Sequence, residues 1–220
     1  MLIYYFNNFD SAGEEEINNM LSLMPPQQHE VIDGLKSLSR KREQALSYAM
    51  LAYAINNRDE IDSNNITIKN YDISLATGSF TNPPLFRFGE HGKPYITNYD
   101  GIFFNISHCR QAIVTAISDH EIGIDVEGRR RFSDSLLERA INNDEKASIL
   151  ANDDPEREFA RIWTRKESFF KWTGTGILID HLKLTENEAL EAKCSIDTIE
   201  IAPLGGEPFF LSIAQKNEKK

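Results

Sequence analysis

Ile122-Gly123-Ile124-Asp125-Val126-Glu127 is an apolar run interrupted twice by a carboxylate. A strand sends successive side chains to opposite faces, so Asp125 and Glu127 share one face. Ile124 and Val126 then point the other way, into a core. Two like charges at that spacing repel unless a positive group lies between them. Magnesium is such a group, because it takes octahedral oxygen ligands, often one or two carboxylates plus substrate phosphates. Taken alone, the pair fits equally well a strand end with two solvated acids, since carboxylates are mostly exposed.

Toward the C-terminus, residues 155–173 carry a helical pattern. Pro155 suits the first turn and Gly174 the exit. Inside it lies Trp163-Thr164-Arg165-Lys166-Glu167-Ser168-Phe169-Phe170-Lys171-Trp172. Glu167 and Lys171 are four apart and share a face, with Trp163 one turn earlier. A third carboxylate would complete a metal site or act as a base, and a lysine would neutralise charge building up on a phosphate. An ordinary surface Glu–Lys pair has the same spacing. The aromatic surroundings weigh against it.

On the N-terminal side of the acidic run the period is close to two from residue 66 to 126. Short β-prone segments at 66–69, 85–88, 103–106, 112–117 and 122–126 are separated by Asn, Gly, Pro and Asp clusters. Gly89-Glu90-His91-Gly92-Lys93-Pro94-Tyr95 is a turn carrying a lysine, without the Gly-Lys-Ser/Thr ending of a P-loop. Phe104-Asn105-Ile106-Ser107-His108-Cys109 places a histidine at a strand end, where it can bond a phosphate or move a proton. Adjacent residues of a strand face opposite ways, so Cys109 and His108 make no nucleophile–base pair.

Residues 2–6 read as a strand, and Ser11 to Glu14 has the form of a capping box. Ile17, Met20, Leu21 and Met24 follow at helical spacing, up to Pro25-Pro26. Helices are expected at 28–37 and 40–56, the latter with Ala45, Tyr48, Ala49, Leu51, Ala52 and Ile55 in the core. The second half adds helices at 135–142 and 144–150 and strands at 182–184, 195–201 and 208–214. Each half mixes helices with strands. Two intimate α+β subdomains, residues 1–118 and 119–220, fit better than two separated domains. Two basic runs, Arg40-Lys41-Arg42 and Arg129-Arg130-Arg131, suit a phosphate or an acidic partner, and equally a solvated surface. The second lies just after the acidic run, where it could touch an acidic helix of a partner.

Bulk properties narrow the classes. The chain has 220 residues, 40% of them hydrophobic and 26% charged, which is globular composition. A formal net charge of −10 argues against a nucleic-acid binder. No stretch approaches the ~18 apolar residues of a spanning helix, and the N-terminus lacks a basic leader. Two distant cysteines, Cys109 and Cys194, fit a reduced, cytoplasmic protein.

In order, Gly92-Lys93-Pro94, Asn105-Ile106-Ser107-His108, Gly123-Ile124-Asp125-Val126-Glu127, and Trp163 to Ser168 with Lys171 and Gly174 form a series. It resembles the 4′-phosphopantetheinyl transferase superfamily in its larger, fused branch, over roughly residues 88–176. The resemblance implies an α+β fold of two similar subdomains related by pseudo-twofold symmetry, with coenzyme A between them, in a monomer. It implies that Asp125, Glu127 and Glu167 bind magnesium with the diphosphate of coenzyme A. Lys171 and His108 would contact phosphates, with Ser107 in the same pocket. Gly92, Lys93 and Pro94 would lie along the adenine and its 3′-phosphate, for which Arg40 and Lys41 are further candidates. The implied partner is an apo acyl carrier protein, or a carrier domain of a polyketide or non-ribosomal peptide synthetase. Its serine would receive phosphopantetheine, releasing adenosine 3′,5′-bisphosphate, with Glu167 as base and Glu127 as the alternative. Cys109 stands where the family more often has a smaller residue. Two other readings of the same residues are a metal-dependent phosphohydrolase and a non-catalytic binding module of the same fold.

Overall fold

Strand β1 (Leu2–Phe6) is almost wholly buried and lies inside a four-stranded sheet, as its unbroken apolar run demands. The computed structural model describes residues 1–7, 13–22, 24–74, 82–177 and 179–217. It divides the chain into two units, each with its own core. Unit 1 comprises Met1–Arg87, Tyr95–His108 and Ala112–His120, and unit 2 comprises Phe88–Pro94, Cys109–Gln111 and Glu121–Lys220.

In unit 1, α1 (Glu14–Ser22), α2 (Pro26–Asp33) and α3 (Leu38–Asn56) follow β1. The sheet order is β2 (Thr67–Asn70), β1, β6 (Ile113–Ser118), β5 (Phe103–His108). β1 runs parallel to β2 and antiparallel to β6, and β5 pairs antiparallel with β6. Between β2 and β5 the chain forms a short hairpin of β3 (Phe86–Phe88) and β4 (Pro94–Ile96). α3 lies on β6 and β1, and α1 and α2 pack on α3. Its second half is buried on nearly every side, which is why Ala45, Leu46, Tyr48, Ala49, Met50, Leu51, Ala52, Ala54 and Ile55 are all apolar.

The expected second helix begins earlier and ends sooner than residues 28–37. Pro25-Pro26 does not simply stop α1. Pro26 opens α2 in the first turn, where a missing N–H costs nothing, and Gly34 follows its last residue. The capping box expected at Ser11 lies outside the described residues.

In unit 2, β7 (Ile122–Glu127) pairs with β9 (Phe209–Lys216), and β9 with β8 (Cys194–Ile201), all antiparallel. The α-helices of this unit among the described residues are α4 (Asp134–Ala140), α5 (Asn143–Ala151), α6 (Pro155–Thr173) and α7 (Thr185–Glu191). α6 lies across β7 and β9. Its ends obey the local chemistry: Asp154 caps the N-terminus by accepting from the Arg157 N–H at 3.2 Å. Pro155 fills the first turn, and Gly174 closes the helix at φ 71°. Phe159, Trp163, Phe169 and Phe170 of α6 enter the core with Leu137, Ile141, Ile149 and Leu182.

Residues 182–184, expected as a strand, belong instead to a 3₁₀ helix, Ile179–Leu184, that leads into α7. Three residues are too few to distinguish a period of two from one of three. Tertiary contacts decide: the Leu182 side chain is fully buried, and its carbonyl accepts from Lys166 Nζ at 2.6 Å and Thr185 Oγ1 at 2.9 Å. The mixture of largely antiparallel sheets and packed helices is an α+β fold. No helix among the described residues is long and apolar enough to cross a membrane. Cys109 and Cys194 are not joined in a disulfide.

Candidate active site

Gly123 decides how close α6 can come to β7. A Cβ built at this position would fall 2.2 Å from the Ser168 carbonyl oxygen and 2.2 Å from the Trp172 nitrogen. Only glycine therefore lets the helix backbone rest on this strand. Asp125 and Glu127 follow on the same face at a period of two and look toward the same helix. Helix and strand periods thus bring Asp125, Glu127, Glu167 and Lys171 into one cluster inside unit 2.

Lys171 Nζ donates to Asp125 Oδ1 at 2.7 Å, and the Asp125 side chain is only 3% exposed. The Arg130 guanidinium donates to Glu127 Oε1 and lies over the Trp163 ring, 4.4 Å from its centroid. Burial, then the charge of Asp125, push the Glu167 carboxyl up to about 7, against the pull of Lys171 and Arg130. Burial also raises Glu127, and Asp125 adds to it, while Arg130 and Lys171 act in the opposite direction. The site is a partly buried knot of three acids and two cations, with Asp125 the most deeply buried. A carboxyl held near neutrality is suited to accepting a proton.

The donors are hard oxygens, which suit magnesium in kind. Burial and the charge of Asp125 raise Glu167, and a divalent cation would offset both. Among the described residues, however, no three His, Cys, Asp or Glu side chains are gathered as a metal-holding group. Asp125 and Glu127 pair with Lys171 and Arg130 instead. The donor chemistry fits the ion; the charge now balancing it is the protein's own.

Lys93 and Gly92 belong to unit 2, at the hairpin tip of residues 88–94. Gly92 takes φ 82°, and its N–H donates to the Gly89 carbonyl at 3.0 Å, which closes the turn. Lys93 Nζ donates to the Trp172 carbonyl at 2.9 Å and to Glu121 Oε2 at 2.7 Å, with 8% of its side chain exposed. This lysine caps the last turn of α6, where a cation complements the helix dipole. Pro94 opens β4.

Arg40, Lys41, Ser107 and His108 belong to unit 1. Glu43 Oε1 lies 3.0 Å from His108 Nε2 and 3.3 Å from Arg40 NH1, so one carboxylate serves two of these residues. Lys41 Nζ is 3.9 Å from Asp33. Ser107 is buried at its place in β5, while His108 is exposed at the strand's end.

Reading the sequence overlooked two members of these groups. Glu43 follows Arg40 by three residues on α3, a helical spacing that is itself the signal. Arg130 was visible only as the middle of a basic run. Arg129 pairs with Asp154 at 3.2 Å and Glu156 at 2.8 Å, and Arg131 lies 3.9 Å from Glu156. Arg130 turns the other way, to Glu127.

Comparison with known proteins places this cluster in a family. A model of the 4′-phosphopantetheinyl transferase superfamily matches residues 121–205, which contain β7 and α6. Similarity extends to 4′-phosphopantetheinyl transferase Sfp of Bacillus subtilis, with 35% identity over 94 residues, 42% of each chain. The transferase gsp of Aneurinibacillus migulanus is 37% identical over 97 residues, covering 43% of this chain and 40% of its own. The chain thus spans about two fifths of the length of those two relatives. The match to the transferase AcpT of Salmonella typhi is longer: 34% identity over 137 residues, 59% of this chain and 71% of that protein. With the motif residues gathered on β7 and α6 and a relative covered over most of its length, the chain belongs to the 4′-phosphopantetheinyl transferase superfamily.

Proposed function

We propose that this protein transfers 4′-phosphopantetheine from coenzyme A to a serine of an apo carrier. The carrier is an acyl carrier protein, or a carrier domain of a polyketide or non-ribosomal peptide synthetase. The observation that supports this most is the partly buried cluster of Asp125, Glu127, Glu167 and Lys171, lying within the stretch the family model matches. The two cysteines are not joined in a disulfide, in keeping with a cytoplasmic protein, and we read it as a monomer.

In this reading the serine hydroxyl attacks the β-phosphorus of the coenzyme. A new P–O bond joins serine to phosphopantetheine, the bond to the bridging oxygen breaks, and adenosine 3′,5′-bisphosphate leaves with the electron pair. Glu167 takes the serine proton, which its raised affinity for protons suits; Glu127 is the alternative base. Lys171 moves its charge from Asp125 to the phosphate as negative charge develops there. His108 and Ser107 are assigned to phosphate contacts, Arg40 and Lys41 to the 3′-phosphate. Gly92 and Pro94 lie along the adenine by their backbone, and Lys93 keeps that turn on α6. Asp125, Glu127 and Glu167 would hold magnesium, which would supply Lewis-acid charge to the diphosphate.

Intact-mass measurement tests the proposal. The protein is incubated with coenzyme A, magnesium and an apo carrier. A carrier heavier by one phosphopantetheine group is the expected result. Consumption of coenzyme A with an unchanged carrier would mean hydrolysis, and no change with several unrelated carriers would leave a binding module.

A further inference from the structure

Arg129, Arg130 and Arg131 are consecutive, yet only the middle one enters the acidic cluster. Arg129 pairs with Asp154 and Glu156 at the start of α6, and Arg131 is exposed, 3.9 Å from Glu156. The Arg130 backbone N–H donates to the Glu156 carbonyl at 3.3 Å, which fixes this segment against the same helix turn. From there the side chain reaches Glu127 and rests on the Trp163 ring, with about a third of it exposed.

A guanidinium stays charged at every pH a protein meets, and its planar fork matches a carboxylate. The indole face adds a cation–π contribution that holds the group in place even when its carboxylate partner is engaged elsewhere. In this arrangement Glu127 is not a bare ligand: a divalent cation approaching it meets a positive charge already bonded to one of its oxygens.

We propose that Arg130 is an internal counter-cation that competes with the divalent metal for Glu127. The metal is admitted only when the guanidinium leaves the carboxylate, and the Trp163 ring is the platform on which it remains. This inference rests on the reading that Asp125, Glu127 and Glu167 hold the metal. It assigns to Arg130 control over metal affinity rather than a step in group transfer. It also explains why three acids and two cations occupy one small volume without an open cage.

The test is direct metal binding, without coenzyme A or carrier. The full-length protein is stripped with chelator and titrated with Mn²⁺, and free Mn²⁺ is read by electron paramagnetic resonance. Arg130→Gln is expected to bind Mn²⁺ about fivefold tighter or more, because it removes one unit charge at contact distance. Arg130→Lys, which keeps the charge but loses the fork, should fall between the two. Arg129→Gln and Arg131→Gln remove the same charge outside the cluster and should stay within about twofold of the parent. Equal or weaker binding by both Arg130 variants overturns the competition. So does equal tightening by the flanking controls, which would mean a general charge effect. Absence of Mn²⁺ binding in every variant overturns the metal reading itself, and the competition with it.

Discussion

Lys171 on α6 and Asp125 on β7 are 46 residues apart in the chain, and their side chains meet at 2.7 Å in the interior of unit 2. The aspartate is nearly inaccessible, whereas the lysine is 29% exposed. Replacing Lys171 by Met leaves a buried carboxylate short of a cation. The expected cost is about 2 kcal/mol, below the range for fully buried pairs because the lysine is partly solvated. Urea unfolding measures it. The loss should shrink in the Asp125→Asn background, and equal losses in both backgrounds would show that the two side chains do not couple.

Gly123→Ala should be worse than its small volume suggests. Its methyl group would have to displace helix backbone at Ser168 and Trp172, not a flexible side chain. A loss on the order of 3 kcal/mol is expected, together with a loosened α6. Gly92→Ala is the comparison. Nothing lies within 4 Å of its added carbon, so only the strain of φ 82° remains, about 1 kcal/mol. Similar stabilities for the two variants would contradict the close approach of α6 to β7.

Glu167 makes stability depend on pH in a predictable direction. Its folded-state pKa is raised from 4.5 to about 7, so between those values the folded chain holds a proton that the unfolded chain has released. Its favourable contribution is complete below the unfolded value and is lost as pH rises through 7. Glu167→Gln mimics the protonated form. In chelator-treated protein it should be more stable than the parent at pH 8, by on the order of 2 kcal/mol, and should match it at pH 4. The melting temperature at the two pH values reads this out, and an advantage equal at both would refute the assignment. The same variant should no longer load a carrier.

Lys166 points away from its neighbour Glu167 and is 1% exposed, with Nζ 2.7 Å from Glu145 and 2.6 Å from the Leu182 carbonyl. Burial lowers its pKa, while Glu145 pulls it upward. Lys166→Met should cost about 3 kcal/mol because Glu145 keeps its charge, and Lys166→Met with Glu145→Leu should recover much of that. Chemical denaturation of the two variants decides, and a double variant no better than the single would show that the ion pair is not the source of the loss.

Local order was largely legible. The helix expected at 155–173 has those bounds because proline, an aspartate cap and glycine act within a few residues of the ends they set. The strand at 122–127 announced itself by its apolar run and its period of two. Residues 182–184 misled because so short a segment carries no period, and α7 had no strong apolar stripe of its own. Arg130 could not be told from Arg129 and Arg131, because three identical side chains in a row differ only in what surrounds them.

The sequence by itself determined most of the elements, the ends of α6, the α+β class and the shared face of Asp125 and Glu127, since these depend on bonds and periods spanning a few residues. It also carried the family resemblance. Only the tertiary structure decided that Glu167 and Lys171 stand against that face, that Arg130 enters it, and that Lys93 caps α6. Those facts depend on a helix resting on a strand at a distance that Gly123 alone permits, and on burial strong enough to shift a carboxyl by charges distant in the chain.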